Sequence, residues 1–396
     1  MNAHHAHFAS GLLALLPVLA LSLVFSSCAE RKEIIGYFPS WKWNEEQNPL
    51  TPENIPYDKL TIINYAFFYP RPDGTIAGRD SVGDSKYLGG PAGTRLTDLA
   101  HRRNVKVLLS LGGWEESDNF PSVAADPKLR DIFVRGCMDA VRRYDFDGID
   151  IDWEYPGYAE HKGTPADKEN FTILLQLLKD SLQSYGKTTD RTYLLTGAFP
   201  ASAQQAAYID FAKVGSILDQ FNIMTYDFYG AWDALSNHNS PLYPSAGSDS
   251  SKCMDAAFRL YNQTFGIPAS KINLGLAFYG RTYTQCTSLN SSHAGPDTTH
   301  FPVTGAPYAT IVARMADFTR KWDDRAKVPY LVNTDWKVLV SYDDEESIRL
   351  KAQYMLDKNV HGCIIWEITQ DYLPDGKSPL LDAVADTFAP TQSKDH

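Results

Sequence analysis

The sequence lacks a block of lysine and arginine. Its 37 basic side chains are outnumbered by 48 acidic ones, for a formal net charge of −11, and they are scattered. Binding a phosphate backbone needs clustered Lys and Arg, so nucleic acid is not an expected partner. A neutral substrate is compatible with this balance. Metal-site spacing is missing as well: none of the five cysteines stands in a Cys-x-x-Cys or Cys/His arrangement. There is no internal repeat, no low-complexity linker and no separate binding module. No glycine-rich phosphate turn follows the first β-like run, which weakens the case for a doubly wound open sheet. Charged residues are 21% of the 396 and hydrophobic ones 43%. That excludes a disordered composition and suffices for one large α/β barrel or two ordinary domains.

Long apolar runs are scarce. GLLALLPVLALSLVF, residues 11–25, is short for a membrane span and right for the core of a signal peptide. The preceding MNAHHAHF carries no Lys or Arg. Phe25-Ser26-Ser27-Cys28 resembles a bacterial lipoprotein cleavage site. Residues 1–27 are therefore expected to be a signal peptide and Cys28 to be lipidated. An ordinary signal peptide cut near the same place and an uncleaved anchor are the alternatives. Membrane contact is expected only through this anchor, and the exported protein is expected to be a monomer. Export would allow Cys253 to pair with Cys286. Buried free thiols at Cys137, Cys253, Cys286 and Cys363 are the plainer expectation.

What is there is a regular alternation. β-rich runs fall at Glu33–Phe38, Leu60–Phe68, Lys106–Ser110, Gly148–Trp153, Tyr193–Phe199, Phe221–Tyr226, Ile272–Phe278 and Gly362–Trp366. Stretches with helix-like apolar spacing, such as Leu129–Tyr144 and Glu169–Tyr185, lie between them. Eight strands alternating with helices predict an α/β fold of the (β/α)8 TIM-barrel type. The gap between the seventh and eighth runs is too long for one crossover. Residues 282–340 read as a small α+β insertion, with residues 32–281 and 341–386 forming the barrel.

The fourth run continues as DGIDIDWEYP, residues 147–156. Side chains alternate along a strand, so Gly148, Asp150, Asp152 and Glu154 share one face and Ile149, Ile151 and Trp153 the other. In a barrel the apolar face meets the helices. The acidic row then points inward and climbs to the C-terminal mouth, where barrel active sites lie. Stacked carboxylates cannot all ionise, so at least one pKa must rise. A raised pKa at Glu154 would make it a general acid near neutral pH. A metal site and a structural charge network are the other readings of such a row.

DGIDIDWE resembles the DGxDxDxE signature of glycoside hydrolase family 18, the chitinase family. SLGGW (Ser110–Trp114), MTYDF (Met224–Phe228), FYGR (Phe278–Arg281) and Trp366 fall in family order. SYDDEESIRLKAQY is similar to the segment closing the family's insertion domain. The resemblance spans about residues 32–386. It implies hydrolysis of β-1,4 linkages in chitin or chitooligosaccharides, endo-acting or processive, with no cofactor and no metal. An endo-β-N-acetylglucosaminidase acting on N-glycans and a non-catalytic sugar-binding lectin are the alternatives. The retained Glu154 speaks against the lectin, and the insertion against the N-glycan enzyme.

The resemblance also implies roles. Glu154 would protonate the glycosidic oxygen, Asp152 would orient the substrate acetamido group, Asp150 would hold or share the proton of Asp152, and Tyr226 would hydrogen-bond the acetamido oxygen. Asp227, Met224, Tyr279, Arg281 and Tyr37 are further substrate-site residues, and Trp366 the floor under the cleaved sugar. Trp114 and Trp232 follow strand ends and are expected as sugar platforms. Trp41 and Trp43 are candidates for the far glycone end, while Trp322 and Trp336 are expected in the core of the insertion. Asp147, of opposite parity, is expected to brace the motif backbone.

Overall fold

The computed structural model describes residues 32–44, 50–301 and 305–389. The expected leader 1–27 and Cys28 lie outside them. Eight strands form the barrel: β1 (Glu33–Pro39), β2 (Ile62–Pro70), β3 (Lys106–Gly112), β4 (Gly148–Asp152), β5 (Leu194–Pro200), β6 (Gln220–Met224), β7 (Ile272–Ala277) and β8 (Gly362–Trp366). Each pairs in parallel with the next, and β8 closes on β1. These are the strands expected from the sequence, with no end moved by more than two residues.

The long crossover after β7 carries a five-stranded antiparallel sheet: Tyr279–Thr284, Gly305–Pro307, Thr319–Asp323, Val328–Asn333 and Val338–Ser341. The helix Tyr308–Ala313 accompanies it. The sheet begins at Tyr279, so Tyr279 and Arg281 ride on its first strand rather than on the barrel.

The entry to β4 shows how local sequence sets the site. Helix Pro127–Tyr144 is capped by Asp126, whose carboxylate accepts from the N–H groups of Lys128 (2.7 Å) and Leu129 (3.1 Å). Proline at the first helical position gives up no intrahelical bond. The helix buries Phe133, Cys137 and Val141, one turn apart, and stops at Asp145, which turns left-handed at φ 57°. The chain then enters β4, where Ile149, Ile151 and Trp153 pack outward against the helices. Trp153 stacks on Phe120 at 5.2 Å and meets Phe171 edge-on.

Cys137, Cys253, Cys286 and Cys363 are separate buried thiols, and the Cys253–Cys286 bridge is not formed. Among the described residues no helix is long and apolar enough to cross a membrane.

Candidate active site

Asp150 is the buried base of the acidic row. Ladder register places Ser110 of β3 and Thr196 of β5 directly beside it. Its Oδ2 accepts from Tyr37 Oη (2.9 Å) and Ser110 Oγ (2.8 Å). Its Oδ1 accepts from Thr196 Oγ1 (2.6 Å) and Asn222 Nδ2 (3.0 Å). The Asn222 amide is oriented by Asn273, which donates to its Oδ1 at 2.9 Å. Burial raises the Asp150 pKa above the usual carboxylate value, and these four donors offset part of that rise.

Asp152 lies one repeat higher in a different environment. Burial, then the charges of Glu154 and Asp150, hold its pKa well above the usual carboxylate range. Its Oδ1 is buried with no hydrogen-bond partner among the described residues. Burial pushes both carboxyls up, Asp152 further, since it lacks the side-chain donors that face Asp150.

Glu154 stands past the strand end, half-buried at the cleft. Burial chiefly, with the charge of Asp227 adding, pushes its carboxyl up to about 7, and a hydrogen bond from the Tyr155 hydroxyl works the other way. Its backbone is fixed on both sides: its N–H donates to Ser117 Oγ (2.9 Å), and the His161 ring meets its carbonyl at 2.6 Å. The glycine pair of SLGGW lets β3 approach. Gly113 N–H donates to the Asp152 carbonyl (2.8 Å), and a Cβ on Gly112, at φ 118°, would come within 2.0 Å of that oxygen.

Asp147 braces the bottom of the strand, as expected. Its carboxylate accepts from Val107 N–H (2.8 Å) and Arg191 (2.6 Å) and meets His101 Nε2 at 2.7 Å. Despite burial, these partners lower its pKa.

Tyr226 and Asp227 follow β6 by two and three residues. The Tyr226 ring is buried edge-on against Tyr279 at 6.1 Å. Asp227, left-handed at φ 57°, accepts from the Tyr279 hydroxyl (2.7 Å) and from Arg281 Nε (2.9 Å). Asn239 holds both partners in place: its Oδ1 accepts from Asp227 N–H (3.1 Å) and its Nδ2 donates to the Tyr279 carbonyl (3.2 Å). Next to it, Ser240 Oγ donates to the Thr225 carbonyl (2.7 Å) and accepts from Lys351 Nζ (2.9 Å). Lys351 is fully buried and grips Asp343 through both oxygens, at 2.6 and 2.7 Å.

The row opens into a cleft of about 1630 Å³. Trp366, Met224, Tyr37, Tyr226, Asp227 and Arg281 line it, and Tyr279 stands behind Asp227 outside the lining. Trp366 packs against Tyr37 and Phe67, each at 5.6 Å. Trp114 and Trp232 keep 47% and 60% of their surface exposed. Trp41 lines the cleft and Trp43 does not. The Trp43 indole donates to Asp80 (2.8 Å), a carboxylate that also caps the helix Ser81–Leu88, so the ring is turned from the groove. Trp336 is in the insertion, stacked on His300 at 3.8 Å. Sequence reasoning missed Thr196, Asn222, Tyr155, Ser117, His161, Asn239 and Lys351. Thr196 and Asn222 had left a signal, each being a polar residue within an apolar strand.

A closed parallel barrel with a row of inward carboxyls whose pKa values burial raises, beneath an aromatic cleft, has the makings of an acid-catalysing glycoside hydrolase. The sequence model of glycosyl hydrolases family 18 matches residues 33–371, and the chain belongs to that family. It is 34% identical to chitinase A1 of Niallia circulans, over 91% of this chain, and spans 59% of that relative's length. It is 30% identical to chitinase 1 of Aphanocladium album, over 84% of this chain and 80% of the relative. Among solved structures, chitinase ChiA74 from Bacillus thuringiensis superposes with a TM-score of 0.80 at 30% identity, covering 91% of this chain and 70% of that one. A family 18 N-acetylglucosaminidase from Paenibacillus barengoltzii superposes at 0.76 with 32% identity, covering 90% and 99%.

Proposed function

We propose that the chain is a chitinase that cleaves β-1,4 linkages between N-acetylglucosamine units with retention, using the substrate's own acetamido group as nucleophile. The observation that carries this reading is the orphaned Oδ1 of Asp152 beside Glu154. An unpaired buried polar atom costs about 1–3 kcal/mol, and a substrate N–H would satisfy it. Glu154 gives its proton to the glycosidic oxygen as the C1–O bond breaks. The acetamido oxygen bonds to C1, forming an oxazolinium ion, while Asp152 accepts from its N–H and Tyr226 steadies the attacking oxygen. Water then attacks C1 as the bond from C1 to the acetamido oxygen breaks, restoring the acetamido group, and yields its proton to Glu154. This is the substrate-assisted exception to the two-carboxylate scheme. Trp366 offers its face to the cleaved sugar.

Proton NMR of a chitooligosaccharide digest tests the reading. The β-anomer of the new reducing end should appear first. An initial α-anomer would rule out retention. No cleavage of chitooligosaccharides, with cleavage of N-glycans instead, would favour the endo-β-N-acetylglucosaminidase.

The leader pattern further supports export, with Cys28 carrying a lipid. Cys28→Ser should move the protein from the membrane fraction to the soluble exported fraction. Unchanged membrane association would eliminate the lipid as tether.

A further inference from the structure

One end of the cleft is strapped by an arginine. Trp41 follows β1, Arg79 follows the short strand Ile76–Gly78 paired to the end of β2, and Glu115 follows β3. The Arg79 guanidinium lies 4.3 Å over the Trp41 ring. The same group is ion-paired to Glu115 and stands 3.9 Å from Glu116. Its backbone N–H donates to the Phe67 carbonyl (2.9 Å). Trp41, Phe67, Arg79 and Glu115 all line the cleft. Trp366, Phe67 and Trp41 form a row outward from the floor, with centroid separations of 5.6 and 6.1 Å.

Trp232, in the segment after β6, is arranged differently. Trp232 also carries an arginine on its ring, Arg281 at 4.8 Å, yet it remains 60% exposed. Arg281 is held by Asp227. A pyranose stacks its C–H face on an indole. At Trp41 that place is taken by a guanidinium.

We propose that Arg79 is a specificity-determining residue that competes with sugar for the face of Trp41. Resting on the chitin-type reading above, it makes the cleft favour short glycone chains: a disaccharide seated on Trp366 never meets the strap, whereas a longer chain must displace it. The strap is displaceable, because an exposed cation–π contact is weak and a surface ion pair adds little. The contact amounts to about a two- to fivefold effect on affinity.

The test is calorimetric titration of the Glu154→Gln protein with chitobiose and chitohexaose, with and without Arg79→Ala. Removing Arg79 should raise the hexaose-to-biose affinity ratio about two- to fivefold. Adding Trp41→Ala should abolish that rise. A ratio that stays constant or falls overturns the competition, as does a rise that survives loss of Trp41. Failure to bind any chitooligosaccharide fails the chitin reading and this inference together. Sugar binding with an unaltered ratio fails this inference alone.

Discussion

Glu154→Gln should lower kcat/KM on a fluorogenic chitobioside by about 10³-fold, within the 10²–10⁴ range that a positioned general acid supplies. Glutamine keeps the shape and hydrogen-bonding capacity of the side chain and cannot deliver the proton. The thermal transition should therefore be unchanged, which separates lost chemistry from lost folding. The pH profile carries more information than the single rate. The competent form of Glu154 is protonated, and burial with the nearby Asp227 charge pushes its pKa up to about 7. Activity should fall as pH rises through that value. Tyr155→Phe should shift this limb upward, because its hydroxyl favours the ionised carboxylate. Undiminished wild-type activity well above neutrality would show that another group donates the proton.

Lys351→Ala should destabilise the protein by about 3–5 kcal/mol, the cost of stranding one member of a buried ion pair. Burial lowers the Lys351 pKa and raises that of Asp343, and their mutual attraction offsets both. Removing the cation leaves Asp343 buried with, among the described residues, only Ser347 donating to it from a side chain. Replacing both residues by apolar ones of similar volume should recover most of the loss. Urea denaturation of the single and double variants measures the difference, and a single variant as stable as wild type would mean that water reaches Asp343. Kinetics should respond too, since Lys351 supports Ser240, which holds the Thr225 carbonyl beside Tyr226.

The barrel was readable because its strands are apolar, regularly spaced and separated by amphipathic helices. The acidic row was readable because strand parity is strict: once Ile149, Ile151 and Trp153 are assigned to the helix side, Asp150, Asp152 and Glu154 must face the axis. Trp366 closes a strand, and Trp114 and Trp232 were candidates because they follow strand ends. The direction of Trp43 was not legible, because it depends on Asp80, which comes from a different loop.

The linear order of residues thus determined the fold class and the inward carboxylates, through periodicity and the cost of burying charge, while Glu154 as the candidate acid rested on the resemblance of DGIDIDWE to the family signature. Tertiary structure alone decided how the carboxylates differ. Tyr37, Ser110, Thr196 and Asn222 converge on Asp150 from four other strands and offset part of the rise that burial imposes, whereas the Asp152 Oδ1 finds no partner among the described residues. A pKa is set by the groups within a few ångströms, and those groups lie up to 113 residues away in the chain.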